Sequence, residues 1–149
     1  MRLGFRRRKD TAVRFIDRYP IFVTPRVAAC RDFWVAHLGF SVVFEATWFV
    51  LLQAEGDTAS LAFMTPEHPS APPGPEPFAG PGMCFELQVE DARAAHAEAL
   101  ARGLPVTLPL TDEPFGQRCF GFTDPSGLWV DVVEQIEPVA GFWARYVAS

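Results

Sequence analysis

The chain is poor in the residues that usually build a metal centre, and those it has lack metal spacing. Its 149 residues include three cysteines, Cys30, Cys84 and Cys119, an odd number with no short Cys-x-x-Cys interval. That pattern reads as reduced thiols in a cytoplasmic protein. The three histidines, His37, His68 and His96, fall on helical patterns or in a proline-rich connection rather than on strands. No uninterrupted apolar run reaches membrane-spanning length, and no signal-peptide pattern opens the chain, so no membrane partner is expected. Positive charge is scarce beyond the start. Residues 1–14 carry a balance of +5 within a net charge of −5, which leaves −10 on the remainder. An acidic body argues against a nucleic-acid partner and tolerates neutral or cationic ligands. The basic leader itself, residues 1–14, reads as disordered.

What is present is globular. Apolar residues make up 49% and charged residues 21%, enough for one well-cored domain or two small halves sharing a sheet. Tyr19–Thr24 reads as a first strand. Pro25 opens a helix in which Val27, Cys30, Phe33, Trp34 and His37 recur at helical spacing, and Leu38-Gly39 closes it. Three strands follow, at Ser41–Ala46, Trp48–Gln53 and Thr58–Met64. A linker at residues 66–81 holds seven prolines, too many for a sheet. The pattern then restarts with a strand at Met83–Val89, a helix at Asp91–Arg102, and strands at Arg118–Thr123 and Leu128–Glu134. Gly103-Leu104-Pro105-Val106 answers Gly39-Phe40-Ser41-Val42 at an offset of 64 residues, the mark of an internal repeat. The expected architecture is α+β: a βαβββ module at residues 15–65, a second at 82–137, and a C-terminal helix at 138–149. In that helix Val139, Phe142, Trp143, Tyr146 and Val147 form one apolar stripe in need of a surface.

The most informative stretch is Thr123-Asp124-Pro125-Ser126-Gly127-Leu128-Trp129-Val130-Asp131. Asp-Pro-Ser-Gly is a tight-turn sequence, and the β-formers around it make a hairpin. Beyond the turn Leu128, Val130 and Val132 point one way; Trp129, Asp131 and Val133 point the other. A carboxylate buried unpaired in such a strand costs several kcal/mol. Asp131 therefore needs an ion-pair partner such as Arg118, a metal or a wet functional cleft. In the strand at Met83–Val89, Phe85, Leu87 and Val89 suit burial under a helix. Cys84, Glu86 and Gln88 present a polar face, which is either solvated or part of the same cleft.

The repeat resembles the vicinal-oxygen-chelate superfamily of glyoxalases, extradiol dioxygenases and bleomycin resistance proteins. The resemblance rests on Phe33-Trp34-x-x-x-Leu38-Gly39-Phe40, Val89-Glu90-Asp91, Glu113-Pro114-Phe115-Gly116-Gln117-Arg118 and Asp124-Pro125-x-Gly127. The segment at Glu113–Arg118 is similar to the bleomycin-resistance-like branch. The resemblance implies two incomplete barrels around a ligand cleft, often completed across a homodimer. It places the family's metal positions on Tyr19, near Ala62 or Met64, on Cys84 and on Asp131, a set with a single hard acidic ligand. No cofactor is therefore expected; a divalent ion, if bound, would sit on Asp131 and Glu86. The expected site is an aromatic, acidic cleft of Tyr19, Trp48, Phe49, Cys84, Glu86, Gln88, Arg118, Trp129 and Asp131. It suits a flat, partly cationic small molecule. The expected function is metal-independent, sequestration-type binding; the competing class is a metal-dependent lyase, isomerase or dioxygenase acting on vicinal oxygens.

Overall fold

The computed structural model describes residues 13–56 and 59–148; most of the basic leader and Thr58 lie outside that range. The first module runs β1 (Ile21–Val23), α1 (Val27–Leu38), β2 (Ser41–Ala46), β3 (Phe49–Gln53) and β4 (Ser60–Met64). The second repeats it as β5 (Cys84–Gln88), α2 (Ala92–Ala101), β6 (Leu108–Glu113), β7 (Gln117–Thr123) and β8 (Trp129–Gln135). Each forms a four-stranded sheet, ordered β1-β4-β3-β2 and β5-β8-β7-β6. In both, the first strand lies parallel to the fourth and the other pairs are antiparallel. The α+β architecture of two tandem open sheets is as the repeat implied.

Local chemistry accounts for the boundaries. Gly39 ends α1 with φ of 71°, a left-handed turn that glycine adopts freely, and its N–H returns to Val35 O. Asp91 starts α2 by accepting a hydrogen bond from Ala94 N at 3.0 Å. Strand β6 went unbounded in the sequence because Pro109 interrupts it. The sheet order resolves this, since β6 is an edge strand, where a missing N–H costs no ladder bond. Two expectations shrink. β1 covers only Ile21–Val23, and the C-terminal helix is one 3₁₀ turn at Phe142–Arg145. Part of the tail's apolar stripe does find a surface within the chain. Trp143 donates its indole N–H to Phe115 O, and Phe142 stacks on Phe115 at 6.2 Å. Among the described residues no helix is long and apolar enough to cross a membrane.

The modules share one core. Trp34 of α1 is fully buried and meets Phe40 at 4.9 Å, Phe85 at 6.1 Å and Phe122 at 6.2 Å. Its indole N–H donates to Asp124 Oδ2 at 2.9 Å, so the first module's helix is pinned to the second module's hairpin turn. Asp124 Oδ1 accepts from Ser126 N, Ser126 Oγ and Leu128 N, which closes the turn from inside. His37, at the end of α1, donates its Nδ1–H to Arg102 O at the end of α2. The linker closes the outer edge of β1: Phe78 donates its N–H to Val23 O at 2.8 Å and packs its ring on Phe22.

Candidate functional site

Strand alternation gives each sheet a core face under its helix and an opposite open face. On the second sheet the register sets Cys84 opposite Trp129 and Glu86 opposite Asp131, with Gly121 opposite Asp131 from the other side. Paired residues share a face, so Cys84, Glu86, Trp129, Asp131 and Gly121 converge on the open side.

Asp131 is the hub. Its Oδ1 accepts the Trp129 indole N–H at 2.9 Å, and its Oδ2 accepts the Cys84 thiol at 3.3 Å. This settles the alternative left open by the sequence: the carboxylate is held by an indole and a thiol, not by Arg118. Arg118 shares its face with Phe120 and Phe122, on the core side of the sheet, where it pairs with Asp112 at 2.7 Å and Glu134 at 3.3 Å. Its assignment to the cleft is therefore corrected, and the period of two is the reason. The Asp112 carboxyl is held below its usual range by the Arg118 hydrogen bond.

Gly121, a residue the sequence reading passed over, gives the site its shape. A side-chain carbon at Gly121 would lie 2.5 Å from Trp129 Cζ2 and 3.0 Å from Asp131 Oδ1. The indole thus lies against bare backbone, fixed at its N–H by Asp131. A lone glycine inside a strand pattern signals such a close approach. The Cys84 thiol is pushed up to about 12, first by desolvation, then by its hydrogen bond to Asp131 and by the charges of Asp131 and Glu86. It stays protonated at neutral pH.

Two hollows flank this group. One, about 560 Å³, is framed by Gly80, Gly82, Cys84, Gly127 and Trp129. The other, about 480 Å³, joins Tyr19 and Ser60 to Phe85 and Glu86, so Tyr19 does reach the cluster's edge. Gln88 lies further along the same face and meets Gln135 at 3.4 Å. Trp48 occupies the β2–β3 turn and Phe49 starts β3 opposite Met64; they stack on each other and line neither hollow.

The family model for the glyoxalase/bleomycin resistance protein/dioxygenase superfamily matches residues 16–132. The chain belongs to that superfamily. Among solved structures it is similar to a glyoxalase/bleomycin resistance protein/dioxygenase from Nocardioides, with 22% identity and a TM-score of 0.69 over 85% of this chain and 87% of that one. It is also similar to a lactoylglutathione lyase from Agrobacterium tumefaciens, with 18% identity and a TM-score of 0.62, covering 85% and 96% of the two chains. A third is an antibiotic binding protein from a Streptomyces species, with 21% identity and a TM-score of 0.58, covering 85% and 99%. Among curated proteins no match is found.

Superfamily enzymes hold a divalent ion on the open faces. Here one donor atom each from Cys84, Glu86 and Asp131 lies within 4.8 Å of the others. The donor chemistry fits an ion poorly. Both Asp131 oxygens already accept hydrogen bonds, from the Trp129 indole and the Cys84 thiol. Of the corresponding first-module positions, Ala62 and Met64 supply no hard ligand and Tyr19, at the cluster's edge, offers only a phenol. The histidines lie away from these donors: His37 bonds Arg102 O, His68 bonds Gly74 O through Nε2, and His96 packs edge-on to Phe120.

Proposed function

We propose that this protein binds a small, flat organic cation on the open face of its second sheet, without a metal, as a sequestering protein does. The observation that carries the reading is the Trp129 indole, seated on Gly121 and tied to Asp131, with Glu86 beside it. A preset aromatic plate loses little entropy on stacking, and two neighbouring carboxylates attract a delocalised positive charge. The likeness to an antibiotic binding protein agrees with sequestration. A second copy of the chain completes the cleft in this reading. Val42, Val43 and Phe44 expose apolar side chains on β2, an edge strand that invites pairing.

The competing reading, a metal-dependent enzyme on the same face, is favoured by the proximity of the Cys84, Glu86 and Asp131 donors. One experiment separates the two. Proflavine, a planar fluorescent cation, is titrated into protein purified without chelator, alongside elemental analysis. Saturable binding that weakens about tenfold or more in Trp129→Ala and Asp131→Asn, with no stoichiometric metal, is the expected result. One equivalent of zinc or another divalent ion, with melting raised by its addition, would overturn the sequestering reading.

A further inference from the structure

The two modules repeat each other down to single hydrogen bonds. Thr24 N donates to Met64 O across β1–β4, and Val89 N donates to Val133 O across β5–β8, both at 2.8 Å. Aligning these bonds places Val23 on Gln88 and Phe22 on Leu87. In the first module that edge is closed by Phe78, whose N–H meets Val23 O and whose ring packs on Phe22 at 5.1 Å and 68°. Beside the corresponding edge of the second module lies a cavity of about 590 Å³, walled by Leu87, Val89, Ala95 and Phe120 and closed from the first module by Leu38 and Phe40.

Among the described residues β5 pairs with β8 alone. Because Val89 N faces β8, strand alternation turns the backbone groups of Gln88 away from β8, toward the free edge. The segment after β8, counterpart of the linker, turns elsewhere: Val139 N bonds to Pro114 O and Trp143 to Phe115 O. Ala95 and Ala99 leave room on the α2 side. At its mouth Arg102 is paired with Glu98 at 2.8 Å, and Glu86 reaches the rim.

We propose that this cavity is a second small-molecule site, taking an uncharged aromatic compound that bears an N–H or O–H donor beside its ring. Its ring takes the place that the Phe78 ring holds in the first module, resting on Leu87, and its donor meets the Gln88 carbonyl. The cavity volume lies within the range of sites that enclose such molecules, roughly 300–1,000 Å³. It lies on the core face of β5 and shares with the Cys84–Asp131 face only Glu86, at its rim, while Trp129 and Asp131 line no part of it.

The test uses N-phenyl-1-naphthylamine, a neutral arylamine whose fluorescence rises in apolar surroundings, titrated into the full chain. One saturable site per chain is expected, lost by about tenfold or more in Ala95→Phe and kept in Trp129→Ala. The N-methylated probe, which lacks the donor, should bind roughly three- to tenfold more weakly, as one lost hydrogen bond requires. Should Ala95→Phe fail to fold, methyl resonances of Leu87, Val89 and Val132 in wild type report the location directly. Loss of binding in Trp129→Ala, equal affinity of the two probes, or shifts confined to other methyls would each overturn the proposal.

Discussion

At the scale of single residues, Asp131 controls its neighbours. Cys84 is exposed, yet its thiol is pushed up to about 12, so its thiolate population at pH 8 is about a thousandfold below that of an ordinary cysteine. Native alkylation by iodoacetamide, followed by mass spectrometry, should therefore be slow at pH 8 and climb about tenfold per pH unit. Asp131→Asn removes a charge and the thiol's anionic acceptor, and should speed the reaction several-fold at fixed pH. A rate equal to that of a free thiol in wild type would contradict the geometry. The sign of the linked stability follows. The fold holds this proton through pH values where the unfolded chain has lost it, near 9, so the contribution is full below 9 and fades as pH rises toward 12. The pairing of Asp131 with Glu86 and Trp129 was legible in the alternation of two strands. Arg118 and Gly121 were not, because which of them shares a face with Asp131 depends on hairpin register. The register that sets Gly121 opposite Asp131 also sets Arg118 opposite Glu134, on the other face.

At the scale of elements, the hairpin turn does more than reverse the chain. Sequence showed Asp-Pro-Ser-Gly as a turn; it gave no sign that Asp124 also receives the Trp34 indole from the other module, because that bond spans 90 residues. Asp124→Ala leaves a fully buried indole N–H without its acceptor and strips three bonds from the turn. An unsatisfied buried donor costs about 1–3 kcal/mol, and the lost turn bonds add to it, so destabilisation of about 3 kcal/mol or more is expected. Chemical denaturation measures it. Trp34→Phe removes donor and indole together; combined with Asp124→Ala it should cost clearly less than the two single changes summed, because the variants share one interaction. Additive costs would show that helix and turn are not coupled through this bond. The edges explain what else was hidden. Proline masked β6, and the role of Phe78 in closing β1 lay inside a linker whose composition spoke only of stiffness.

At the scale of the whole molecule, the two modules are one body with unequal halves. Trp34, Phe85 and Phe122 make a common core, while the opposite faces diverge in chemistry: Ile21 with the buried Ala62 and Met64 on the first sheet, Cys84, Glu86 and Asp131 on the second. In the proposed reading a ligand stacked on Trp129 would meet the carboxylates on one side, and an apolar cover on the other would complete the cleft. The exposed β2 strand argues that a second chain brings that cover. Val43 is 52% and Phe44 56% exposed on a strand with an unpaired edge, and a bulge between Val42 and Phe44 twists it. The tail leaves Val139, Tyr146 and Val147 exposed as well, so neither surface is satisfied within one chain. Light scattering coupled to gel filtration should then give twice the chain's 16.5 kDa for wild type and a monomer for Phe44→Glu, whose charge would be buried unpaired at the interface. Circular dichroism and melting of the Phe44→Glu monomer distinguish a lost interface from a lost fold. If the monomer still binds proflavine with wild-type affinity, one chain's face suffices. If binding falls with dimerisation, the partner's apolar sheet forms the other wall, and the unequal halves act as a single cleft only in pairs.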